Sequence, residues 1–285
     1  YFNYDIKNKN WFNIGGKTKI FFKPENLKEL IEFLKLYKNR SKLFILGAGS
    51  NILFSDKLYE GALIKLGKNF SKISLLNNNI IVAGSGATDK QLSDFALENN
   101  IGGFEFLSCI PGTVGGGIKM NSGCFNSEFK DILISVQAID RLGNVLTIPS
   151  NKIEFKYRSC NLSDQLIFLS ASFKGKNKEK NLIEKEIIKL KDKKNLTQPT
   201  KLKTGGSTFK NPIDQTNKKV WKIIKDSVPI NTEFGDASIS NKHCNFFVNK
   251  KNAKFKDMKK LIDFVKNKVK LKTGINLDLE IILVE

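Results

Sequence analysis

The sequence predicts an α+β protein with a strand-rich N-terminal part and a C-terminal part that contains longer helices. Short apolar runs separated by Gly and Asn turns fill most of the first 175 residues, a basic amphipathic stretch follows, and helix and strand patterns alternate after it. A chain of 285 residues is long enough for two domains. We therefore predict domains at 1–175 and 176–285, with the first divided into two sub-lobes near residue 67.

The N-terminal part combines two predicted helices with a series of strands. Pro24 is typical of a first helical position and predicts a helix that runs to about Asn39. Thr88 and Gln91 have the spacing of a capping box and predict a helix that ends near Asn99. Strands are predicted at 43–46, 62–66, 73–76, 80–83, 132–140, 145–148 and 166–173, with turns at 77–79 and 142–144.

The C-terminal part is predicted to contain three helices. A basic amphipathic helix covers 175–194, where we place the domain boundary, and a second helix lies around 218–226. A strand is predicted at 245–248. The third helix runs from 255 to about 272 and is stopped by Gly274. Its predicted core face consists of Leu261, Ile262, Val265 and Val269.

Composition excludes several classes of protein. Hydrophobic residues make up 40% of the chain, too many for a disordered protein, but no apolar run approaches the roughly 20 residues that span a bilayer. Residues 1–19 lack the apolar core of a signal peptide. The cysteines, Cys109, Cys124, Cys160 and Cys244, show no C-x-x-C spacing, and His243 is the one histidine, so we expect no metal site and no disulfide framework. Reduced cysteines that pack as small hydrophobes fit a cytoplasmic protein.

The formal net charge of +20 has three interpretations. It reflects a general abundance of lysine, it steers anionic small molecules towards a cleft, or it marks a nucleic-acid binder. The basic residues are dispersed rather than clustered with aromatic platforms, which disfavours the third interpretation.

The first candidate ligand-binding segment is Gly47–Asn51, which directly follows a predicted strand. Glycines allow backbone N–H groups to approach a phosphate closely. The segment is not a dinucleotide fingerprint, because Ile52 stands where a further glycine is needed, and no Gly-Lys-Ser/Thr of a Walker loop follows. A phosphate-binding loop and a tight turn between strands therefore remain alternatives.

The second candidate segment, Ile110–Gly117, contains four glycines, a proline and a threonine. Such a backbone can lie against a flat ring system or a pyrophosphate. The apolar residues Ile110, Val114, Ile118 and Met120 favour a buried segment over a surface loop. Two glycine-rich segments about one small domain apart suggest a pyrophosphate-bridged cofactor held between two sub-lobes.

Six motifs in order then identify a family resemblance. They are LGAGSNIL (46–53), GFEFLSCIPGTVGGGIKMNSG (103–123), YRS (157–159), GSTFKNP (206–212), KHCNFFVN (242–249) and GINLDLE (274–280). Together they resemble the UDP-N-acetylenolpyruvoylglucosamine reductase family over nearly the whole chain. The resemblance implies an FAD-binding domain of the vanillyl-alcohol-oxidase type plus a C-terminal substrate domain. It also implies reduction of an enolpyruvyl UDP-sugar to UDP-N-acetylmuramate by NADPH, in the synthesis of peptidoglycan precursors.

The resemblance assigns the catalytic roles. Ser207 matches the serine that protonates the substrate carbanion, although without the other motifs a turn serine would be the simpler interpretation. Arg158 matches an active-site arginine, whose planar guanidinium suits a carboxylate that gains negative charge. It is one of three arginines in a lysine-rich chain, and a structural salt bridge is the commoner fate of an arginine. Glu280 matches the active-site glutamate, with Asp278 as a rival by position.

The resemblance also assigns binding residues. Lys210 and Asn211 match the segment that contacts the nucleotide diphosphate of the substrate, and Asn245 lies where a further polar contact is expected. The noncovalent FAD would be held by Gly47, Ala48, Gly49, Ser50, Asn51, Ile110, Pro111, Gly112, Thr113, Gly116 and Gly123. Three positions depart from the family pattern: Cys109 and Asn126 replace usual glycines, and Gly117 replaces a usual alanine.

Two other functions remain as alternatives at this point. An oxidase on the same flavin fold would often attach its flavin through histidine, and the one histidine, His243, lies in the predicted substrate domain. A nucleic-acid-binding module would rest on the charge alone. For the reductase we expect a cytoplasmic monomer whose partners are the UDP-sugar and NADPH, with no membrane or nucleic-acid partner.

Overall fold

The computed structural model describes residues 1–37, 42–199 and 202–285. Its helices are α1 (Leu27–Tyr37), α2 (Asp89–Glu98), α3 (Val114–Lys119), α4 (Lys180–Thr197), α5 (Val220–Ser227) and α6 (Phe255–Thr273). Its strands are β1 (Phe2–Asp5), β2 (Lys17–Phe22), β3 (Lys42–Ile45), β4 (Ile52–Phe54), β5 (Tyr59–Ile64), β6 (Ile73–Leu76), β7 (Ile80–Gly84), β8 (Ile101–Gly102), β9 (Gly123–Cys124), β10 (Ser127–Glu128), β11 (Leu133–Ile139), β12 (Val145–Pro149), β13 (Phe155–Lys156), β14 (Ser159–Cys160), β15 (Ile167–Lys174), β16 (Lys176–Asn177), β17 (Thr204–Ser207), β18 (Glu233–Phe234), β19 (Ala237–Ile239), β20 (Phe246–Asn249) and β21 (Ile282–Val284).

The chain forms two compact units that do not follow sequence order. The first unit contains Tyr1–Ile20, Gly49–Glu60 and Asn195–Glu285, and the second contains Phe21–Ala48 and Gly61–Lys194. Residues 1–20 and 49–60 therefore pack with the C-terminal segment, while most of α4 belongs with the N-terminal segment. This division by contacts differs from the division by function at residue 175, which stays a prediction.

The second unit is built on a five-stranded antiparallel sheet in the order β12-β11-β15-β7-β6. One apolar core joins α1, through Leu30 and Leu34, to Ile139 and Leu169 of the sheet. A second core joins the sheet to α2 and α3. Its buried members include Ala83, Leu92, Ala96, Phe104, Val114, Ile118, Phe129, Ala138, Ala171 and Phe173. The second core anchors α3 and the glycine-rich segment before it against the sheet.

The first unit contains a four-stranded antiparallel sheet in the order β17-β20-β19-β18, against which α6 packs. The predicted face of α6 is confirmed, because Leu261, Ile262, Val265 and Val269 are all buried. Gly274 ends the helix in the left-handed conformation at φ 75°, as its sequence position predicts. In the same unit β21 pairs with β4 in parallel, which brings the C-terminus beside residues 52–54.

Two predicted helix starts are wrong for local reasons. Helix α1 begins at Leu27 rather than Pro24, because the side chain of Asn26 accepts the Glu29 N–H at 3.0 Å and so caps the helix there. The predicted end at Asn39 lies outside the described residues. Helix α4 begins at Lys180 rather than 175, because Lys176 and Asn177 pair with β8 as a short strand. The predicted capping box of α2 is confirmed.

Among the described residues, no helix has both the length and the apolar character that crossing a membrane requires.

The glycines of α3 yield a matched pair of substitutions. A Cβ on Gly117 would lie 2.2 Å from the ring of Phe129, which is fully buried, whereas a Cβ on Gly116 would have its nearest neighbour at 3.5 Å. We predict that Gly117→Ala lowers the free energy of unfolding by about 1–3 kcal/mol through overpacking. Gly116→Ala should be neutral or raise it by up to about 1 kcal/mol, because alanine favours the helix. Urea unfolding of both variants tests this, and equal stabilities would contradict the packing of Phe129 on Gly117.

Candidate active site

The two glycine-rich segments meet in the second unit. A Cβ on Gly47 would lie 2.6 Å from Thr113 Oγ1, so the close approach of the segments requires glycine at this position. The Lys65 ammonium donates to the Gly47 carbonyl at 3.0 Å. Among the described residues of this unit, the half-buried N–H groups of Gly47, Ala48, Gly112 and Thr113 donate to no protein acceptor. They form a group of unused backbone donors beside a cation, which suits an anionic ligand.

The second segment is shaped by its own hydrogen bonds. Thr113 caps α3 by accepting the Gly116 N–H at 3.4 Å, and the Val114 and Gly115 N–H groups donate to the carbonyls of Ala87 and Ser85, each at 2.9 Å. The N–H groups at the start of α3 are therefore used within the protein, while those just before it are not. Ile110 is half-buried, Pro111 is exposed, and Gly116 is exposed on the outer side of the turn.

The rest of the first segment lies in the first unit. Gly49 has φ 69°, and a Cβ there would lie 2.2 Å from the Lys9 carbonyl, so this position also requires glycine. The side chain of Asn51 donates to the Glu280 carbonyl at 2.9 Å. Within the described part of this unit, the backbone N–H groups of Ser50 and Asn51 donate to no protein acceptor.

A buried carboxyl lies directly behind the second segment. Asp89 is fully buried, and neither of its oxygens has a hydrogen-bond partner among the described residues. A Cβ on Gly112 would lie 2.5 Å from Asp89 Oδ2. Burial raises the pKa of Asp89 well above its usual range. Burial therefore favours the neutral form of this carboxyl, which reduces negative charge next to the unused N–H groups.

Arg158 is held firmly in the second unit. Its backbone adopts the left-handed conformation at φ 57°, and its side chain is 18% exposed. The guanidinium donates to the Gly123 carbonyl at 2.9 Å, lies 3.9 Å from a Glu128 carboxylate oxygen and stacks over the Tyr157 ring. The structure thus places Arg158 beside Gly123, and a fixed cation of this kind can orient a carboxylate.

Ser207 and Glu280 are brought together in the first unit. Ser207 ends β17 and pairs with Phe246, and the next residue, Thr208, accepts the Glu280 N–H on its carbonyl at 2.9 Å. Both Ser207 and Glu280 are half-buried, whereas the rival carboxylate, Asp278, is exposed. The backbone of Glu280 is therefore held against Thr208, the residue that follows Ser207.

The three predicted substrate-binding residues occupy the same region with different environments. Asn245 is buried, and its side-chain amide both accepts the Phe209 N–H at 3.0 Å and donates to the Phe209 carbonyl at 2.8 Å. Asn211 accepts the Val220 N–H at 3.0 Å and so supports the start of α5. Lys210 is half-buried, and its backbone N–H donates to the Asp278 carbonyl at 2.9 Å. The geometry gives the two asparagines a positioning role, and their contacts with substrate stay predictions.

Three residues near the candidate site residues of the second unit were not found from the sequence. Lys65 is the one charged residue in the apolar run 62–66, which is a usable signal for a functional or paired cation. Glu128 lies close to Arg158 only because the β9–β10 hairpin folds back, and the sequence gives no sign of it. Asp89 looks like an ordinary acidic residue in the first turn of a helix, where its burial could not be foreseen.

The chain is similar along almost its whole length to known reductases. Residues 18–149 match the family profile of the FAD binding domain, and residues 198–284 match that of the UDP-N-acetylenolpyruvoylglucosamine reductase, C-terminal domain. A UDP-N-acetylenolpyruvoylglucosamine reductase of Pelagibacter ubique (strain HTCC1062) is 66% identical over 280 residues, which cover 98% of this chain and 93% of that protein. The enzyme of the same name from Rickettsia conorii (strain ATCC VR-613 / Malish 7) is 44% identical over 279 residues, with the same two shares.

The chain belongs to the UDP-N-acetylenolpyruvoylglucosamine reductase family.

The fold of a reductase from this family also matches. The crystal structure of UDP-N-acetylenolpyruvylglucosamine reductase from Thermus caldophilus superimposes with a TM-score of 0.85 and 27% identity, over 98% of this chain and 97% of that one. The predicted family and the predicted α+β fold, an FAD-binding domain followed by a reductase C-terminal domain, are confirmed. The assignment as an FAD-containing oxidoreductase is confirmed as well.

The burial of Asp89 predicts a pH dependence of reductase stability. Because its pKa is raised on folding, the folded protein holds a proton that the unfolded chain releases above a pH of about 4. This residue therefore makes the free energy of unfolding fall as the pH rises from that value towards the folded pKa. Asp89→Asn cannot ionise, so we predict that the variant loses less stability between about pH 5 and pH 8 than the unsubstituted protein.

Asp94 provides the control on the same helix, because its side chain is 44% exposed and pairs with Lys90. Asp94→Asn should change the stability lost between about pH 5 and pH 8 by no more than about 0.5 kcal/mol. Urea unfolding at a series of pH values measures all three proteins. Parallel curves for Asp89→Asn and the unsubstituted protein would show that the Asp89 carboxyl is ionised in the folded state.

Proposed function

We infer that the protein is the NADPH-dependent reductase that converts UDP-N-acetyl-3-O-(1-carboxyvinyl)glucosamine to UDP-N-acetylmuramate in the synthesis of peptidoglycan precursors. The observation that carries this conclusion is the 66% identity to a reductase of that name along almost the whole chain, so that both the FAD part and the substrate part are present. The substrate is a UDP-sugar and the reductant is NADPH.

The residues present fit FAD. The unused N–H groups of Gly47, Ala48, Gly112 and Thr113 would hold its pyrophosphate, and the burial that favours a neutral Asp89 would reduce repulsion of that anion. The further residues proposed to hold FAD are Gly49, Ser50, Asn51, Ile110, Pro111, Gly116 and Gly123. When bound, FAD would supply the redox chemistry, which is the transfer of an electron pair from NADPH to the enolpyruvyl group.

Arg158 and Glu280 are proposed to stabilise the substrate as it becomes an enolate. The planar guanidinium of Arg158 can form a two-pronged hydrogen bond to the enolpyruvyl carboxylate, and its contacts with Gly123 and Tyr157 hold it in one orientation. Preorganised charge of this kind lowers the energy of a transition state because no reorganisation is needed during the reaction. Glu280 would act from the segment whose backbone is bonded to Thr208.

Ser207 is proposed to deliver the proton to carbon. A serine hydroxyl is a very weak acid, so the transfer depends on the high basicity of the enolate and on accurate positioning. The positioning comes from the backbone, since Ser207 pairs with Phe246 and Thr208 is bonded on both sides, to Asn245 and to Glu280. Only a small part of the side chain's freedom then remains to be lost when the substrate binds.

The finer partner and domain assignments belong to the same proposal. Lys210 would contact the diphosphate of the substrate as a point charge, with Asn211 and Asn245 holding the surrounding segments. Residues 1–175 would serve as the FAD-binding domain and 176–285 as the substrate-binding domain. The protein would act as a cytoplasmic monomer without a membrane or nucleic-acid partner.

We predict that the purified protein is yellow and that acid precipitation releases all of its FAD into the supernatant. Noncovalent binding is expected because the one histidine, His243, lies far along the chain from both glycine-rich segments. Absorption spectra of the supernatant and the pellet test this. Flavin that stays with the pellet would support the oxidase alternative, and a colourless protein that takes up no added FAD would contradict the proposed function.

Ser207→Ala is predicted to separate the two half-reactions. Reduction of the flavin by NADPH does not need the Ser207 proton, so its rate should stay within about twofold of the original. Reoxidation by the enolpyruvyl UDP-sugar should slow by about 10²–10⁴-fold, which is the usual worth of a positioned proton transfer. Stopped-flow absorbance of the flavin follows each half-reaction separately.

Ser238→Ala is the matched control, because Ser238 is a buried serine of the same sheet, on β19. Neither half-reaction should change in this variant. If both half-reactions slow in Ser207→Ala, the serine positions the cofactor rather than the proton. If neither slows, Ser207 is not the proton donor.

A further inference from the structure

Two cysteines lie side by side at the edge of the second glycine-rich segment. Cys109 ends the short helical turn Glu105–Cys109, directly before Ile110, and Cys124 lies in β9. The Cys124 thiol is 3.3 Å from the Phe106 carbonyl, which belongs to that same turn. Both cysteines lie at this turn, and each thiol shifts the pKa of the other. The pair therefore joins the two ends of the segment that runs from Ile110 to Gly123.

The surroundings of the pair stabilise a thiolate next to a thiol. Hydrogen bonds from Cys124 and Ser108, together with the charges of Lys194 and Lys191, lower the pKa of Cys109 to about 6 although burial opposes this. The Lys194 ammonium lies close enough to donate to the Cys109 carbonyl at 2.7 Å. The hydrogen bond to Cys109 and burial raise the pKa of Cys124. These surroundings thus favour a thiolate on Cys109 and a protonated thiol on Cys124.

The other two cysteines differ from this pair. Burial raises the pKa of both the Cys160 and the Cys244 thiol, and neither thiol contacts another thiol among the described residues. All four cysteines are free in the structure. Cys160 and Cys244 therefore serve as internal controls for the reactivity of a thiol in this protein.

We propose that Cys109 and Cys124 form a dithiol site at which a peroxide creates an intrachain disulfide. The sequence prediction that all four cysteines serve only as small hydrophobes would then be incomplete for this pair. The site does not rest on the proposed reductase activity, since it needs only the two thiols and the lysines near them.

The oxidation proceeds in two balanced steps. The Cys109 thiolate attacks one oxygen of hydrogen peroxide, the O–O bond breaks, and the departing hydroxide takes up a proton to leave as water. The resulting sulfenic acid has an S–O bond that Cys124 then breaks: its sulfur attacks the Cys109 sulfur, its proton is lost, and the second oxygen leaves as water. Overall, two thiols are oxidised to one disulfide while one peroxide is reduced to two waters.

Peptide mapping of the holoprotein tests the proposal. Trypsin places the four cysteines on four different peptides: 91–119 with Cys109, 120–130 with Cys124, 159–174 with Cys160 and 243–250 with Cys244. The fully reduced protein is freed of reductant, treated with one equivalent of hydrogen peroxide, blocked with N-ethylmaleimide and digested without reduction. We expect the 91–119 peptide to be linked to the 120–130 peptide, with Cys160 and Cys244 alkylated, and we expect dithiothreitol to reverse the link.

Two variants sharpen the result. In Cys124→Ser the linked peptide should disappear, and the sulfenic acid at Cys109 should be trapped by dimedone. In Cys160→Ser the linked peptide should form as in the original protein. The proposal is overturned if the main disulfide includes Cys160 or Cys244, or if Cys109 and Cys124 both remain alkylated. It is also overturned if Cys109 reacts no faster than the half-buried Cys160, since a stabilised thiolate should react at least about tenfold faster than a thiol whose pKa is raised.

Discussion

The backbone of Thr208 is the point on which the candidate catalytic residues of the first unit depend. Its N–H donates to the Asn245 carbonyl at 2.7 Å, and its carbonyl accepts the Glu280 N–H at 2.9 Å. Residues before and after it are fixed in the same way, because Ser207 pairs with Phe246 and Phe209 forms a bridge with Leu279. Residues 207–209 are therefore fixed between the backbones of residues 245–246 and 279–280, which places the proposed proton donor, Ser207, one residue before the backbone partner of Glu280.

In the second unit two backbone segments lie close together, and several of their N–H groups donate to no protein acceptor among the described residues. Gly47 removes the side chain that would collide with Thr113, and Gly112 removes the one that would collide with Asp89. The buried carboxyl of Asp89 costs free energy, since a polar group without a partner is unfavourable in the interior. Burial raises the pKa of Asp89, and protonation of the carboxyl limits that cost and reduces the negative charge nearby.

Local patterns made much of the fold predictable from the sequence. The capping box of α2, the core face of α6 and its end at Gly274 are short-range signals, and the structure confirms each of them. The predicted starts of α1 and α4 were wrong. The Asn26 side chain caps α1 later than predicted, and Lys176 pairs with a strand instead of joining α4. The parallel pairing of β21 with β4 joins residues more than two hundred positions apart, which no local pattern encodes.

The sequence located parts of the candidate site but did not show how its residues meet. Glycine content located the two segments that meet at Gly47 and Thr113, but the roles of Ser207, Arg158 and Glu280 came from the family resemblance and stay predictions. Spacing in the sequence could not show that the Asn245 side chain both accepts from and donates to the Phe209 backbone, because those contacts depend on the order of strands in the sheet. Nor could it show that Cys109 and Cys124 meet, since hairpin β9–β10 must first fold back on the turn before Ile110.

A crystal structure of the protein with the enolpyruvyl UDP-sugar bound tests the central claim most directly. The account predicts that the enolpyruvyl group lies at the edge of the strand that ends at Ser207, with the Ser207 hydroxyl and the Glu280 carboxylate each about 3 Å from its reacting atoms. Density for that group away from both side chains, with Thr208 still bonded to Asn245 and Glu280, would contradict the account.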